Sequence, residues 1–460
     1  MSEFPWKLLS ELRCPYCASL LEASLKLSAT SAGMENGTLR CDCYEYPVVI
    51  GIAVLRQMGP VASTRNNAVE RLRAGDVEGA LMWLLDAGSA PGVAGPVTSP
   101  GNSGRAHSLF RKVREFFRPA SRSLPDTRML QAEGFEAALK AMRPGDYASY
   151  LFHRFANPSF LGAIPPLIVL GDACRRGPRQ RLLDLMCGTG HSSATIRALC
   201  PEVEVIMADV DFVNLFIARS FLARDAVALC LDVEIPLPFL DESIDAVFCL
   251  DGLHYVRSKI ALLEEVDRIV SPDGAWLFAH MHNARGANVN PGAPLDAQGY
   301  LRRFTFGEQR LLPETEVLRQ FKDDGCLDLT HQPPASVLDS SDALTLAGAR
   351  TERLWTRHSG LDDALSRRPD RLAFNPLYRL EKATDGLVAR AAWPSESLRT
   401  ECAGAKPLLH ETVHLRSLAV EQFAAARAGE KLSDEVRALI RSFVLVSLPE
   451  GYPRAELAAH

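Results

Sequence analysis

The sequence of 460 residues lacks long apolar runs, a basic N-terminus and an excess of positive charge. No stretch approaches the roughly 18 apolar residues of a membrane span. The opening MSEFPWKLLSELRC has neither the basic start nor the apolar core of a signal peptide. The formal net charge of −5 gives the whole molecule no attraction for polyanions, although a local patch can still attract them. We therefore expect a cytoplasmic protein without a membrane span, and nucleic acid is not the favoured partner.

The 11 cysteines are an odd number, and seven of them are scattered singly through segments that resemble protein cores. This usage is typical of a reducing compartment and not of a disulfide framework. The content of 47 % hydrophobic and 23 % charged residues is ordinary for a soluble globular chain. The length allows two or three domains, each with its own core.

Changes in composition divide the chain into five segments. The first carries two close cysteine pairs and ends in the strand-like run YPVVIGIAVL. The second has helical spacing followed by DAGSAPGVAGPVTSPGNSG, which is typical of a flexible linker. The third is a helical lid region, the fourth alternates short β-branched runs with amphipathic helices, and the last is mainly helical in pattern. The predicted segments are residues 1–58, 59–108, 109–175, 176–350 with an insertion at 284–312, and 351–460.

The fourth segment predicts a doubly wound α/β sheet of about seven strands. Its first five strands are RLLDLM, VEVIMADV, AVALCLDV, IDAVFCL and AWLFAHMH. The helices between them are SATIRALC, FVNLFIARSFLA and SKIALLEEVDRIV. After the insertion, PETEVLRQFKDDG predicts a further helix, while CLDLTHQ and ALTLAGAR predict a closing pair of strands.

A glycine turn follows the first of these strands, in the stretch LLDLMCGTGHSS at residues 182–193. Gly188 and Gly190 would let a ligand touch backbone N–H groups at the N-terminus of the next helix. The alternative is a tight strand-to-helix turn that binds nothing. Dinucleotide-binding turns carry a third glycine where this chain has Ser193, so a pyrophosphate site is disfavoured.

Acidic residues end the strands that follow the glycine turn. Asp209 closes the second strand, 19 residues after Gly190, where a carboxylate can bind both ribose hydroxyls. Asp232 closes the third strand, where it could accept a hydrogen bond from an adenine amino group. The fourth strand ends in CLDGLHYV, which adds polar groups at the same edge. A single aspartate there is usually a turn cap, but three acidic strand ends suit an adenosine without phosphates.

At these residues the sequence resembles the class I S-adenosylmethionine-dependent methyltransferases, especially the branch of the quinone-biosynthesis methylases. The similar elements, over about residues 180–283, are LLDLMCGTGH, ADVDFVNLFIAR, LDVEIPLPFLDESIDAVFCLDGLHYV and EEVDRIVSPDGAWLF. The resemblance implies a Rossmann-like domain of seven strands that uses S-adenosylmethionine. It also implies cofactor-binding roles. Asp184, Gly188 and Gly190 would hold the methionine part, and Asp209 would bind the ribose. Asp232 and the backbone of Val233 would contact the adenine, Cys249 would line the sulfonium side, and Val210 is a further predicted cofactor-binding residue.

A sulfonium is already an activated electrophile, so the enzyme's main task would be to align an acceptor for in-line displacement. A hydroxyl or phenol acceptor would also need a base near neutral pH. His254, just past the fourth strand, is the predicted general base, and a packing or helix-capping role is the equally weighted alternative. His280 and His282 are a second candidate pair, for which core or supporting roles are favoured.

Two cysteine pairs near the N-terminus, Cys14 and Cys17, then Cys41 and Cys43, predict a structural Zn²⁺ site. The alternative is four unrelated buried thiols, and the tight Cys-x-Cys spacing departs from the usual pattern. The segment resembles the small zinc-ribbon subunit that activates several methyltransferases, including its terminal YPV-x-x-GI pattern. The resemblance implies a structural or partner-facing metal, since four cysteines leave no open catalytic position.

The favoured function is methylation of a small-molecule or lipid-like acceptor. The main alternative is an RNA methyltransferase that uses the zinc ribbon, because residues 105–128 contain seven Lys or Arg against two acids. However, Leu109, Val113 and Phe116 fall at helical spacing, which an amphipathic helix over the cofactor cleft explains more simply. A non-catalytic cofactor-binding scaffold is the third interpretation.

Overall fold

The computed structural model describes residues 3–56, 62–88, 134–143, 145–288, 292–401, 409–449 and 452. Most of the predicted linker and all of the basic segment 105–128 lie outside these ranges, so the predictions made for them stay predictions. Among the described helices, none combines the length and the apolar character that crossing a bilayer requires.

The chain contains nineteen described strands, most of which lie in one large sheet. They are β1 (Phe4–Pro5), β2 (Glu22–Ala29), β3 (Gly33–Arg40), β4 (Glu45–Val49), β5 (Ile52–Val54), β6 (Arg181–Leu185), β7 (Glu204–Asp209), β8 (Val227–Cys230), β9 (Ile244–Leu250), β10 (Val270–His282), β11 (Glu308–Pro313), β12 (Leu327–Asp328), β13 (Ala343–Ala349), β14 (Arg357–His358), β15 (Leu372–Phe374), β16 (Tyr378–Ala383), β17 (Gly386–Ala391), β18 (Thr412–Arg416) and β19 (Leu445–Ser447).

Helices accompany the strands on both faces of that sheet. The described helices are α1 (Trp6–Leu9), α2 (Ala62–Arg73), α3 (Val77–Gly88), α4 (Phe135–Met142), α5 (Gly145–Phe152), α6 (Pro158–Cys174), α7 (His191–Leu199), α8 (Phe212–Ile217), α9 (Lys259–Ile269), α10 (Ala297–Leu301), α11 (Glu314–Asp324), α12 (Ala335–Asp339), α13 (Leu361–Leu365), α14 (Glu396–Glu401), α15 (Ser417–Arg427) and α16 (Asp434–Arg441).

The centre of the large sheet is a seven-stranded unit with the order β8-β7-β6-β9-β10-β13-β11. The first five strands are parallel, and β13 is antiparallel to both β10 and β11. Side chains of β7 alternate between two buried layers: Val205 and Met207 pack with α6, α7 and α8, whereas Ile206 and Ala208 pack with α9. Helices on both faces therefore explain why these strands are apolar throughout.

The sixth strand of the seven-stranded unit does not lie where the sequence predicted it. CLDLTHQ forms only the two-residue strand β12, which pairs with β14 outside the main sheet. The Asp328 side chain accepts hydrogen bonds from the backbone N–H and the hydroxyl of Thr330, a local turn that ends the strand. The edge position belongs to β11, which buries Leu311 and Leu312 and begins inside the predicted insertion at 284–312.

The N-terminal segment continues the same sheet. Strand β5 pairs in parallel with β8, with Ala53 beside Leu229, and β4, β3 and β1 extend the sheet from there. Leu12 and Cys14 of this segment share one hydrophobic core with Ile206 of β7. The cysteine-bearing segment is therefore packed directly against the α/β unit.

The predicted mainly helical C-terminal region is not clearly seen, because the described residues form both helices and strands. Strands β16, β17 and β18 form an antiparallel sheet, β15 pairs with β19, and four helices lie among these strands. In β16, buried Tyr378 and Leu380 alternate with Arg379, the period of a half-buried strand. The Asp385–Gly386 pair that follows is typical of a hairpin turn, so the strand pattern was present in the sequence.

Candidate functional site

The glycine turn joins the end of β6 to the N-terminus of α7. Gly188 and Gly190 have φ values of +55° and +83°, which favour glycine. A Cβ added at Gly190 would lie 2.8 Å from the Cβ of Ala218, so this glycine is required by packing. A Cβ added at Gly188 would meet no atom within 4 Å. Gly188 therefore borders open space, which is what a ligand cradle at a helix N-terminus requires.

Two buried carboxylates flank this turn. Asp184 of β6 accepts a hydrogen bond from the hydroxyl of Ser193 across 2.6 Å, and Asp209 of β7 accepts one from the N–H of Gly188 across 2.8 Å. Burial raises the pKa of Asp184 to about 7 and that of Asp209 to about 6. A neighbouring cation would stabilise the charged form of both buried carboxyl groups.

The remaining cofactor candidates lie at the same edge of the sheet. Asp209 is paired with Cys230 across β7 and β8, so Asp232 lies two residues beyond, in the loop that follows β8. Its carboxylate is partly exposed and accepts the N–H of Glu234 at 2.9 Å, while Val233 is buried and Val210 half-buried. Cys249 is buried in β9. The structure thus brings together all the residues assigned to the cofactor.

His254 lies in a short 3₁₀ turn after β9 and is fully buried, with 0 % exposure. Its ring stacks on that of His282, with centroids 3.6 Å apart and planes at 11°. Neither ring nitrogen has a hydrogen-bond partner among the described residues, and the Nε2 atom lies 3.7 Å from an oxygen of Asp251. Burial lowers the pKa of His254 to about 3, so the ring is neutral.

Asp251 is the centre of a polar cluster that the motifs did not single out. Its carboxylate binds the Arg154 guanidinium at 3.1 Å and the Tyr150 hydroxyl at 3.2 Å. Although burial opposes ionisation, Arg154 and the nearby histidines lower the pKa of Asp251 to about 2. His280 contributes a ring nitrogen 2.6 Å from Glu314. Arg154 is 97 residues from Asp251 in the chain, so no local spacing could have indicated this pair.

A second ion pair joins the helices before β6 to the predicted ribose site. The Arg143 guanidinium lies 2.8 Å from a carboxylate oxygen of Asp211, and both side chains are buried. The other oxygen of Asp211 accepts the N–H of Val213 and caps α8. Arg143 and Arg154 therefore attach the predicted lid region to the carboxyl ends of β7 and β9.

Backbone strain is concentrated at the same edge. Met186, Asp251 and His280 have φ values of +55°, +57° and +50°, which non-glycine residues rarely adopt. They lie after β6, after β9 and within β10 respectively. Strained residues of this kind persist where the surrounding structure holds them, most often at functional sites.

The four N-terminal cysteines form a separate cluster. One sulfur from each of Cys14, Cys17, Cys41 and Cys43 lies within 4.8 Å of the others. The Cys14–Cys43 and Cys41–Cys43 sulfur distances are 3.6 Å and 3.5 Å. Tetrahedral Zn–S bonds of about 2.3 Å would place the sulfurs about 3.8 Å apart, so the cluster fits a zinc ion. No hydrogen bond among the described residues links it to the cofactor candidates.

The family model described as a methyltransferase domain matches residues 183–278. This match covers the glycine turn, all the acidic strand ends and most of β10. Residues 183–278 form a methyltransferase domain. The class I methyltransferase fold expected from the sequence is confirmed, with seven strands in the sheet, although β11 takes the place predicted for CLDLTHQ.

Several curated methyltransferases are similar to this chain over part of their length. The demethylmenaquinone methyltransferase of Beutenbergia cavernae is 32 % identical over 126 residues, which are 27 % of this chain and 48 % of that protein. The malonyl-[acyl-carrier protein] O-methyltransferase of Halorhodospira halophila is 25 % identical over 177 residues, 37 % and 59 % of the two chains. The C-methyltransferase UbiE of Coxiella burnetii is 33 % identical over 107 residues, 22 % and 42 % of the two chains. The chain spans about half the length of these relatives.

Solved methyltransferases also align with parts of the chain. A complex of the Haloferax volcanii Trm112 methyltransferase activator with a putative methyltransferase gives a TM-score of 0.31 at 17 % identity, covering 47 % of this chain and 98 % of that one. A geranyl diphosphate methyltransferase gives a TM-score of 0.31 at 16 % identity, covering 40 % and 78 %.

Proposed function

We propose that the chain transfers a methyl group from S-adenosylmethionine to a small-molecule or lipid-like acceptor. The observation that carries this proposal is the open space beside Gly188, bordered by a helix N-terminus and by the buried Asp184 and Asp209. The cofactor carries an ammonium and a sulfonium, and buried carboxylates with raised pKa values are suited to such cations.

The cofactor would lie along the carboxyl ends of β6, β7 and β8. Asp184, Gly188 and Gly190 would hold its methionine part, Asp209 its ribose, and Asp232 with the backbone of Val233 its adenine. Cys249 would line the sulfonium side, and Val210 would lie beside the cofactor. When bound, the cofactor supplies an activated methyl group, and the protein's task is to exclude water and to align the acceptor.

The names of the relatives support a small organic acceptor. These relatives are named a demethylmenaquinone methyltransferase, a malonyl-[acyl-carrier protein] O-methyltransferase and a ubiquinone/menaquinone biosynthesis C-methyltransferase. The buried polar cluster around Asp251 lies where the acceptor would meet the methyl group. His254 is the proposed general base for an acceptor that must lose a proton.

We further propose that Cys14, Cys17, Cys41 and Cys43 bind one structural Zn²⁺. The sulfur distances support this, and four thiolates would leave no open position for catalysis. Because β5 of this segment pairs with β8, the ion would stabilise the sheet next to the adenine site. A protein partner bound through this segment stays a prediction.

Methyl transfer from labelled S-adenosylmethionine tests the proposal. The purified chain is incubated with fractionated cell extract, and the label is followed into organic-soluble, RNA-precipitable and protein fractions. We expect label in the organic-soluble fraction, and much less of it with Asp209→Ala when the cofactor is below saturation. RNA-precipitable label would establish the alternative function, and binding of the cofactor without any transfer would establish a scaffold.

A further inference from the structure

The carboxyl ends of β9 and β10 bring a carboxylate and two imidazoles together. One ligand atom from each of Asp251, His280 and His282 lies within 4.8 Å of the other two. The Nε2 atom of His282 is 3.7 Å from the Oδ1 atom of Asp251. Two histidines and one carboxylate are a donor set that binds divalent transition metals and leaves coordination positions open.

We propose that Asp251, His280 and His282 bind a divalent transition-metal ion that holds the methyl acceptor beside the cofactor. The binding site is independent of the N-terminal cysteines and contains no thiolate. Its role towards the acceptor rests on the methyltransferase function proposed above, whereas the binding of the metal does not.

The neighbours of the three residues are those of a metal site. The Nδ1 atom of His280 lies 2.6 Å from the Glu314 carboxylate, the pairing that fixes the tautomer of a metal-bound histidine and frees its other nitrogen. Arg154 and Tyr150 bind the Oδ2 atom of Asp251, so its Oδ1 atom remains on the histidine side.

His254 supplies an observation independent of the three ligands. It is fully buried against His282, and both of its ring nitrogens are without a hydrogen-bond partner among the described residues. Its Nε2 atom also faces Asp251 Oδ1, at 3.7 Å. A buried polar group without a partner is unfavourable unless a ligand completes the site.

Although burial lowers the pKa of His280, the carboxylates of Glu314 and Asp251 raise it to about 9. A protonated His280 between the two carboxylates is therefore the metal-free alternative, and the experiment below separates it from a bound metal ion.

The position of the cluster indicates what the ion would do. Gly252 follows Asp251 directly, and a Cβ added there would lie 2.9 Å from both the sulfur of Cys249 and the Cε atom of Met186. The ion would therefore lie next to the sulfonium side of the cofactor. An acceptor hydroxyl bound to it would lose its proton more readily, and the neutral imidazole of His254 would accept that proton. The acceptor oxygen would then form the new bond to the methyl carbon, while the carbon–sulfur bond breaks and its electron pair stays on sulfur.

Titration of the purified full-length protein with Co²⁺ tests the proposal directly. We expect the protein to bind two equivalents of Co²⁺. The equivalent at the cysteine cluster should show the charge-transfer absorption of cobalt thiolates, and the equivalent at the proposed site should show visible d–d bands alone. The second equivalent should be lost in His280→Ala and in His282→Ala. It should be unchanged in His331→Ala, which alters an exposed histidine, and in Cys14→Ser.

A milder substitution tests the same site in case the histidine variants fail to fold. Glu314→Gln keeps the size of the side chain and should weaken the second equivalent about 10- to 100-fold without removing it. Calorimetric binding of S-adenosylhomocysteine to the same samples tests the methyltransferase proposal separately. Two results would overturn the metal proposal. One is that the protein binds Co²⁺ only at the cysteine cluster; the other is that a second equivalent of Co²⁺ still binds in both histidine variants.

Discussion

The carboxylate of Asp209 accepts a hydrogen bond from the backbone N–H of Gly188 across 2.8 Å. This contact attaches the end of β7 to the glycine turn after β6. The other oxygen of Asp209 accepts the N–H of Asp211, also at 2.8 Å. That second oxygen also accepts a hydrogen bond from the Asn214 amide at 3.4 Å. A ribose hydroxyl can therefore bind at the free lone pair of the oxygen that Gly188 contacts, without displacing any of these hydrogen bonds.

We expect Asp209→Ala to weaken binding of S-adenosylmethionine by about 1.5–3 kcal/mol, or about 10- to 150-fold, because it removes a charge-assisted hydrogen bond to the ribose. Calorimetric titration measures the affinity, and the melting temperature shows whether the turn has been preserved. Asp225→Ala, which alters an exposed aspartate paired with Arg197, is the control. Unchanged affinity in Asp209→Ala would contradict the ribose assignment.

The two glycines of the turn should respond differently to alanine. In Gly190→Ala the new Cβ meets Ala218, so we expect a lower melting temperature as well as weaker cofactor binding. In Gly188→Ala the Cβ enters open space, so the stability cost is only the left-handed backbone strain, about 1–2 kcal/mol. Its main effect should be on cofactor affinity, because the methyl group occupies the proposed cradle. Gly188→Ala with wild-type affinity would place the cofactor elsewhere.

The affinity for the cofactor should rise with pH. Burial raises the pKa of Asp184 to about 7, above the value near 3.9 expected for an unfolded chain. The folded protein therefore binds this proton more tightly, and the associated stability, complete below about pH 4, is lost as pH rises through about 7. A bound cation favours the carboxylate, so binding near pH 6 should release a proton.

Calorimetry in two buffers of different ionisation enthalpy measures that proton release. Asp184→Asn keeps the size and an oxygen that can accept the Ser193 hydroxyl, but it cannot titrate. We expect its affinity to be lower and its pH dependence reduced. Proton release as large as in the wild type would assign the titration to another group.

The sequence predicted the parts of the fold that local patterns determine. The five parallel strands and the helices between them have strong periodicity, and the acidic strand ends meet because parallel strands share a carboxyl edge. The sixth strand was misplaced because CLDLTHQ alternates apolar and polar residues, whereas EQRLLP begins with three polar residues. Two features decide which of them joins the main sheet. The turn at Asp328 and Thr330 ends β12, and β11 pairs with β13; neither feature is evident from hydrophobicity.

In the candidate site, too, the sequence predicted residues that lie in local motifs and missed residues whose partners are distant in the chain. Asp184, Asp209 and Asp232 lie in recognisable motifs, and the structure collects them at one edge. Arg143 and Arg154 were missed because their partners are 68 and 97 residues away, and an arginine in a helical segment carries no signal of its own. Likewise, the burial of His254 depends on His282 and on the insertion, whose Ala293 donates its N–H to the carbonyl of His254 at 2.8 Å.

The cysteine cluster should contain one zinc ion per chain. Cys14→Ser should lose this ion, whereas Cys326→Ser, which alters a buried thiol outside the cluster, should retain it. Because Cys14 shares a core with Leu12 and Ile206, the loss should also lower the melting temperature. Activity should survive in part, since the cysteines lie apart from the cofactor edge. The structure contradicts the alternative of four unrelated buried thiols, because the sulfurs are clustered and only Cys14 is buried. Elemental analysis of protein purified without chelators is the measurement, and protein without zinc would contradict the structural metal site.

His254 offers a test in which stability and activity should separate. The ring is fully buried, and neither nitrogen has a hydrogen-bond partner among the described residues, which costs about 1–3 kcal/mol per unsatisfied group. His254→Phe keeps a flat ring that can stack on His282 and removes both nitrogens. A residue retained only for packing would therefore be replaced by phenylalanine without loss.

For a general base we expect His254→Phe to melt at the wild-type temperature or above and to bind the cofactor with nearly unchanged affinity. Its turnover should nevertheless fall by about 10²–10⁴-fold, because no neutral imidazole remains to accept the acceptor's proton. Turnover, calorimetric affinity and melting temperature are measured on the same preparation. Wild-type turnover, together with wild-type melting temperature and cofactor affinity, would mean that the acceptor reacts without this base and would assign His254 to packing.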